Sequence, residues 1–126
     1  MKKIINIPNA PAPVGPYNQA VLAGNTLYCS GQIPLIPSTG ELLEGTIQEE
    51  TRQVMENLKA VLAAAGATFE NAVKCSIFMS SMDFYGGINE VYAEYFDPAT
   101  APAREAVAVK TLPKNVNVEI SLIASL

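Results

Sequence analysis

The sequence predicts an α+β domain with two helices on one face of a mixed sheet. Three observations carry that expectation. The apolar spacing alternates between a two-residue period and one of about 3.6 residues, in the order β-β-β-α-β-α-β-β. Strands and helices mix without strict βαβ alternation, which points away from a fully parallel sheet. At 126 residues the chain suits a single domain over 1–126, with no room for a second core.

Each element has a local reason. Residues 2–7 form a first strand. Pro8, Pro11, Pro13 and Pro16 then fix φ and exclude helix, giving a stiff extended strap that leads into apolar sequence. Residues 18–23 and 26–33 pair as a hairpin around Gly24-Asn25, both tolerant of positive φ. A loop with breakers at Pro37, Gly40 and Gly45 follows. Thr46-Ile47-Gln48-Glu49 is a capping box. Val54, Leu58, Val61, Leu62 and Ala65 make one helical face, and Gly66 ends it as a left-handed cap.

Val73, Cys75, Ile77 and Met79 alternate with Lys74, Ser76, Phe78 and Ser80 as a strand. Asp83 is expected to cap a second helix through Phe84, Ile88, Val91, Tyr92 and Tyr95, ended by Pro98 and Pro102. Gly86-Gly87 inside it costs about 1 kcal/mol each relative to Ala. Either the helix starts after them or a close neighbour needs the space. Residues 104–110 and 116–124 are the last strands. Val116, Val118, Ile120 and Leu122 share one face of the final strand, and Asn117, Glu119, Ser121 and Ile123 the other.

The face away from the helices is expected to carry Ser76, Ala106, Ala108, Asn117, Glu119, Ser121 and Ile123. It is small and semi-polar, as a surface meeting another copy would be. An ordinary solvent face would carry more Lys and Glu.

Composition excludes several function classes. Apolar residues make up 49% and charged residues 16%, against a usual quarter or so charged, which argues for a packed core. There is no histidine, so Ser-His-Asp and Cys-His catalysis and His-dependent zinc sites are absent. Cys29 and Cys75 form no CxxC motif and read as reduced core thiols. A net charge of −4 disfavours nucleic acid. The apolar run Ile4–Ile7, broken by Asn6, is too short for a secretory signal, and no segment approaches the roughly 20 apolar residues of a membrane span. A cytoplasmic protein is expected. No GxGxxG, Walker A, GxSxG or EF-hand pattern occurs.

A few residues stand out as chemistry. Arg104, one of two arginines, opens an apolar strand, where its planar fork could clamp a carboxylate or phosphate. A surface strand-end charge is the alternative. Arg52 lies on the polar face of the first helix beside Glu49 and Glu56, as a solvated charge. Glu119 interrupts an apolar strand, where an unpartnered carboxylate is costly. It either reaches water or a lysine, or serves a pocket. In a chain without histidine it is the natural group to handle a proton. Ser30-Gly31-Gln32 could allow close backbone approach to a ligand, or mark a bulge. Tyr17 could close a pocket, and Asn89 could point into a cleft. Packing and a surface helix position are their plainer roles.

These residues combine into a recognisable set. Asn9-Ala10-Pro11 with Gly15-Pro16-Tyr17, Ser30-Gly31-Gln32-Ile33-Pro34, Thr39-Gly40, Pro102-Ala103-Arg104, Leu112-Pro113 and Val118-Glu119-Ile120 resemble the RidA/YjgF family of reactive-intermediate deaminases. The likeness runs end to end, in order and with similar spacing.

The resemblance implies a chorismate-mutase-like fold and a homotrimer with sites in the clefts between subunits. It implies hydrolysis of 2-imino and 2-enamino acids, such as 2-iminobutanoate and 2-iminopropanoate, to 2-oxo acids and ammonia, with no cofactor or metal. On it, Arg104 matches the arginine that clamps the substrate carboxylate and Glu119 the glutamate that positions the attacking water. Tyr17, Ser30, Gly31 and Asn89 match pocket positions. Members of this type usually carry a cysteine two residues after the arginine. Here that position is Ala106, which implies retained activity with altered preference. The expected partners are small 2-imino or 2-oxo acids and other copies of the chain, not nucleic acid or membrane. A non-catalytic module that senses 2-oxo acids is the alternative reading. A ribonuclease role fits the acidic charge poorly.

Overall fold

A computed structural model describes all 126 residues. Its strands are β1 (Lys2–Ile5), β2 (Ala20–Ala23), β3 (Thr26–Gln32), β4 (Ala72–Met79), β5 (Ala103–Ala108) and β6 (Val118–Ser125), and its helices α1 (Ile47–Ala64) and α2 (Tyr85–Tyr92). The element order is the expected one. The strands form one six-stranded sheet in the order β1-β2-β3-β6-β4-β5. All neighbours are antiparallel except β4 and β5, whose crossover contains α2. No helix is long and apolar enough to cross a membrane.

Helix α1 follows its local signals. The Thr46 hydroxyl accepts from the Glu49 N–H at 3.1 Å, and the Glu49 carboxylate accepts from the Thr46 N–H at 3.0 Å. Gly66 takes φ +76°, and the next N–H, Ala67, returns to the Leu62 carbonyl at 2.9 Å, a Schellman ending. Val54, Met55, Leu58, Val61 and Leu62 are all fully buried. They pack with Ile77, Met79, Val118, Ile120 and Leu122 from the inner face of the sheet into one core.

Helix α2 departs from expectation at its start. Ser81, not Asp83, supplies the cap, its hydroxyl accepting from the Asp83 N–H at 3.1 Å, and a 3₁₀ turn over Met82–Phe84 precedes the helix. Both glycines lie inside the helix. A Cβ on Gly87 would collide with Ile47 Cγ2, whereas Gly86 faces open space. Close approach of the two helices therefore explains Gly87. Arg52 of α1 is exposed, as expected, and forks onto Glu94 at 3.0 and 3.1 Å.

The outer face of the sheet differs from expectation in three places. A bulge between Ala72 and Lys74 turns Ala72 inward and leaves Val73 exposed. Ala106 and Ala108 pair with Ile77 and Met79 of β4 and so belong to the inner, helix-bearing face. The outer face instead receives Glu105, which binds Lys74 at 2.9 Å and accepts from the Ser76 hydroxyl, and Val107. Asn117 reaches Glu50 of α1 at 3.4 Å and accepts from the Ser80 hydroxyl at 2.8 Å. The result is more apolar than the sequence suggested. Ile4 is 43% exposed, Tyr28 50% and Val107 42%.

The proline strap is tied down by one amide. Gln19 is buried. Its Oε1 accepts from the Ile7 N–H at 2.7 Å, and its Nε2 donates to the carbonyls of Ile7, Ala10 and Pro11 at 2.9–3.1 Å. The strap is thereby held along the end of the hairpin, where it becomes one wall of a cavity.

Candidate active site

Four of the predicted residues meet in that cavity. Tyr17, Ser30, Gly31 and Glu119 line a pocket of about 430 Å³, closed by the strap at Pro11 and Val14 and by Lys114 from the turn before β6. Its size is that of a small-ligand site.

Glu119 stands on β6 opposite Phe78, on the outer face of the sheet. It is half-buried and forms no ion pair or hydrogen bond within the chain. Burial pushes its carboxyl above the usual range. Gly31 is what makes room for it. A Cβ there would run into Glu119 Oε2 and come within 2.8 Å of Cδ. Gly31 lies where the pairing of β3 with β6 shifts register between Cys29 and Gln32. It is both a bulge residue and a site of close approach. Ser30 donates from its hydroxyl to the Asn18 carbonyl at 2.6 Å, and its N–H bonds the Gln19 carbonyl at 2.9 Å. It thus fixes the segment leaving Tyr17. The Tyr17 hydroxyl accepts from the Val14 N–H at 3.4 Å, and its half-exposed ring forms the rim. Lys114 and Asn115 both take φ of 56°, a rare left-handed pair that shapes the opposite wall.

Arg104 lies elsewhere. It pairs with Cys75 across β4 and β5 and turns to the inner face, against α2. Its Nη1 donates to Asn89 Oδ1 at 2.7 Å and its Nη2 to the Tyr85 hydroxyl at 2.7 Å. Its guanidinium carbon is 4.9 Å from the Tyr92 ring centre and 5.6 Å from that of Tyr85. Ala106 follows on the same face, packed against the core. The position lacks a thiol, and the neighbouring Cys75 does not replace one. It is buried, and burial raises its pKa, which leaves it unreactive.

The predicted residues therefore form two half-sites. Tyr17, Ser30, Gly31 and Glu119 make one, on the outer face. Arg104, Asn89 and Ala106 make the other, on the inner face of edge strand β5. Glu119 aligns with Phe78 and Val107, so from Glu119 to Arg104 is about 10 Å across two strand spacings and about 10 Å along the strand. The cavity at Glu119 is lined by none of Arg104, Asn89 or Ala106. The first half-site offers a carboxyl whose burial raises its affinity for a proton. The second offers an ordered guanidinium with donors to spare. No three His, Cys, Asp or Glu side chains converge as metal ligands.

Four contributors escaped the sequence reading of the site: Tyr85, Tyr92, Lys114 and Gln19. Tyr85, Asn89 and Tyr92 stand at i, i+4 and i+7, one helical face, so the helix spacing could have grouped them. Nothing local marks Gln19 or Lys114.

Comparison with known proteins gives a consistent picture. The family model described as Endoribonuclease L-PSP matches residues 7–126. A RutC family protein of Pyrococcus horikoshii is 50% identical over 124 residues, covering 98% of each chain. A mouse protein named 2-iminobutanoate/2-iminopropanoate deaminase is 44% identical over 124 residues, covering 98% of this chain and 91% of its own. The crystal structure of a putative endoribonuclease from Thermotoga maritima superposes with a TM-score of 0.97 at 49% identity, covering 100% of this chain and 98% of that one. The overall shape is thus shared closely among relatives whose names carry different activities.

Proposed function

The chain belongs to the L-PSP endoribonuclease family, that of the YjgF/RidA proteins, and on that footing we propose that it hydrolyses 2-imino and 2-enamino acids to 2-oxo acids and ammonia. The observation that carries the proposal is Glu119: a half-buried carboxyl with no partner of its own, in a cavity that Gly31 keeps open for it.

The chemistry follows from the two half-sites. Arg104 grips the substrate carboxylate and so fixes the adjacent C=N carbon. With the imine protonated at the start, Glu119 accepts a proton from a water as its oxygen bonds that carbon, giving a tetrahedral amino alcohol. Glu119 then passes its proton to the nitrogen, takes up the hydroxyl proton as the C–N bond breaks and the C=O forms, and yields that proton to the departing ammonia, which leaves as ammonium. Glu119 must be ionised to begin, and its raised pKa makes it a stronger base once it is.

Because the half-sites are separated within a chain, the working site lies between copies. Arg104 at the β5 edge of one subunit completes the Glu119 pocket of its neighbour, in a homotrimer. Support comes from the exposed Ile4, Tyr28 and Val107 on the outer face, apolar surface of the kind a subunit contact covers.

The test forms 2-iminobutanoate in situ from threonine with a dehydratase and measures its capture by a scavenging nucleophile. The protein should lower capture and Glu119→Ala should not. Unchanged capture with the unmodified protein would remove the deaminase reading. Tight 2-oxobutanoate binding without turnover would then favour the sensing module, which the Arg104 clamp also suits. An RNA-cleaving role is disfavoured by the net charge of −4 and the lack of histidine.

A further inference from the structure

We infer that Tyr85 is part of the carboxylate clamp, holding the Arg104 fork in place and donating a hydrogen bond of its own to the bound carboxylate. The inference rests on the clamp role proposed for Arg104.

Arginine is a long side chain that loses substantial rotamer freedom when ordered. Arg104 starts from an edge strand, where little else would restrain it. Helix α2 supplies the restraint from a single face. Asn89 and Tyr85 each take one hydrogen from a different terminal nitrogen, both at 2.7 Å. The Tyr92 ring lies against the guanidinium plane at 4.9 Å. The fork is therefore set before a ligand arrives, which lowers the entropic cost of binding.

A donor count shows that the cage leaves the fork usable. A guanidinium has about five N–H donors, and the cage uses two. The rest suffice for a bidentate carboxylate. Tyr85 adds to them, because its oxygen accepts from Nη2 while its own hydrogen has no acceptor in the chain. That hydrogen sits beside the fork, where an anion gripped by Arg104 would receive it. Tyr92 meets the guanidinium through its ring, its buried hydroxyl lying beside the Cys75 thiol. The ligand class that matches is a small carboxylic acid.

The test compares Tyr85→Phe, which keeps the ring and loses the hydroxyl, with the unmodified protein. Calorimetry with 2-oxobutanoate should show about tenfold weaker binding, the scale of losing one hydrogen bond to a charged group. The KM for the imino acid should rise in parallel while kcat stays within about twofold. The uncharged amide of the same oxo acid should bind both proteins alike. In an Arg104→Lys background, Tyr85→Phe should add little, because the two act as a unit. Equal carboxylate binding by both proteins, or an equal loss for the amide, overturns the inference even if imine hydrolysis is intact. Weaker oxo acid binding by Tyr85→Phe in a protein that hydrolyses no imine upholds the inference and removes the deaminase reading instead.

Discussion

Mixing two inactive variants should restore activity. Arg104→Ala retains the Glu119 pocket and Glu119→Ala retains the Arg104 cage. Each alone should fall to background, since no assembly of either has a complete site. If the site forms between neighbours, it works wherever a Glu119-bearing subunit meets an Arg104-bearing one in the right order. At equal mixing with random assembly, that is one half times one half, about a quarter of the sites in any closed ring. The recovery should follow the product of the two fractions, peaking at equal proportions and falling to about 19% of wild type at three to one. The assay is co-refolding of differently tagged chains, confirmation of mixed assemblies by mass spectrometry, and imine turnover per chain. The strand arithmetic decides the alternative. With about 10 Å across and about 10 Å along the sheet between the two positions, and with the side chains on opposite faces, no single chain closes the site. Mixed assemblies with no activity above either parent would refute the reasoning.

Further outcomes follow from the cavity and its supports. Gly31→Ala should displace the Glu119 carboxylate and lower kcat/KM at least tenfold, with a stability loss of about 1–3 kcal/mol from overpacking, checked by kinetics and thermal melting. Gln19→Ala should cost about 2–4 kcal/mol, because it strips partners from several strap groups at once, and chemical denaturation measures it. Glu119→Gln should lose activity yet stabilise the fold at neutral pH. The folded-state pKa of Glu119 is raised, so the native state binds the proton more tightly than the unfolded one, and stability falls as pH climbs from the ordinary carboxylate range through the raised value. The gain from Gln should be less than about 1 kcal/mol, since the group is only half-buried. It should vanish below about pH 4, a comparison that denaturation at pH 4 and pH 8 makes directly.

The legible parts of the fold were those with local causes. The capping box at Thr46, the face from Val54 to Ala65 and the Gly66 ending each depend on residues a few positions apart, so α1 could be read closely. Gly24-Asn25 marked its hairpin in the same way, with Gly24 at φ +59°. Glu119 was visible as a lone charge in an apolar strand, and Arg104 as one of only two arginines at the start of another. Their faces were harder to read, because facing depends on pairing between distant segments. The bulge at Ala72–Lys74 exposed Val73, and the parallel register of β5 on β4 moved Ala106 and Ala108 inward. Ser81 and Asp83 are both competent caps, and only the 3₁₀ turn separates them. Tyr85 had to wait for Arg104 to be placed against α2, since neither residue alone suggests the other.

The alignment of β5 with β4 constrains how this chain can vary. Arg104 faces α2 because it lies level with Cys75, and its neighbour Glu105 faces the other way. Shortening or lengthening the connection over residues 93–102 by one would present Glu105 or Ala103 to Asn89 and Tyr85. The position facing Asn89 and Tyr85 would then carry a negative charge, or none. Changes of two residues keep the outlook of the strand and only slide it. The length of an apparently irregular segment thus governs the sign of the charge offered to a ligand. Insertions there should survive in even steps where they survive at all.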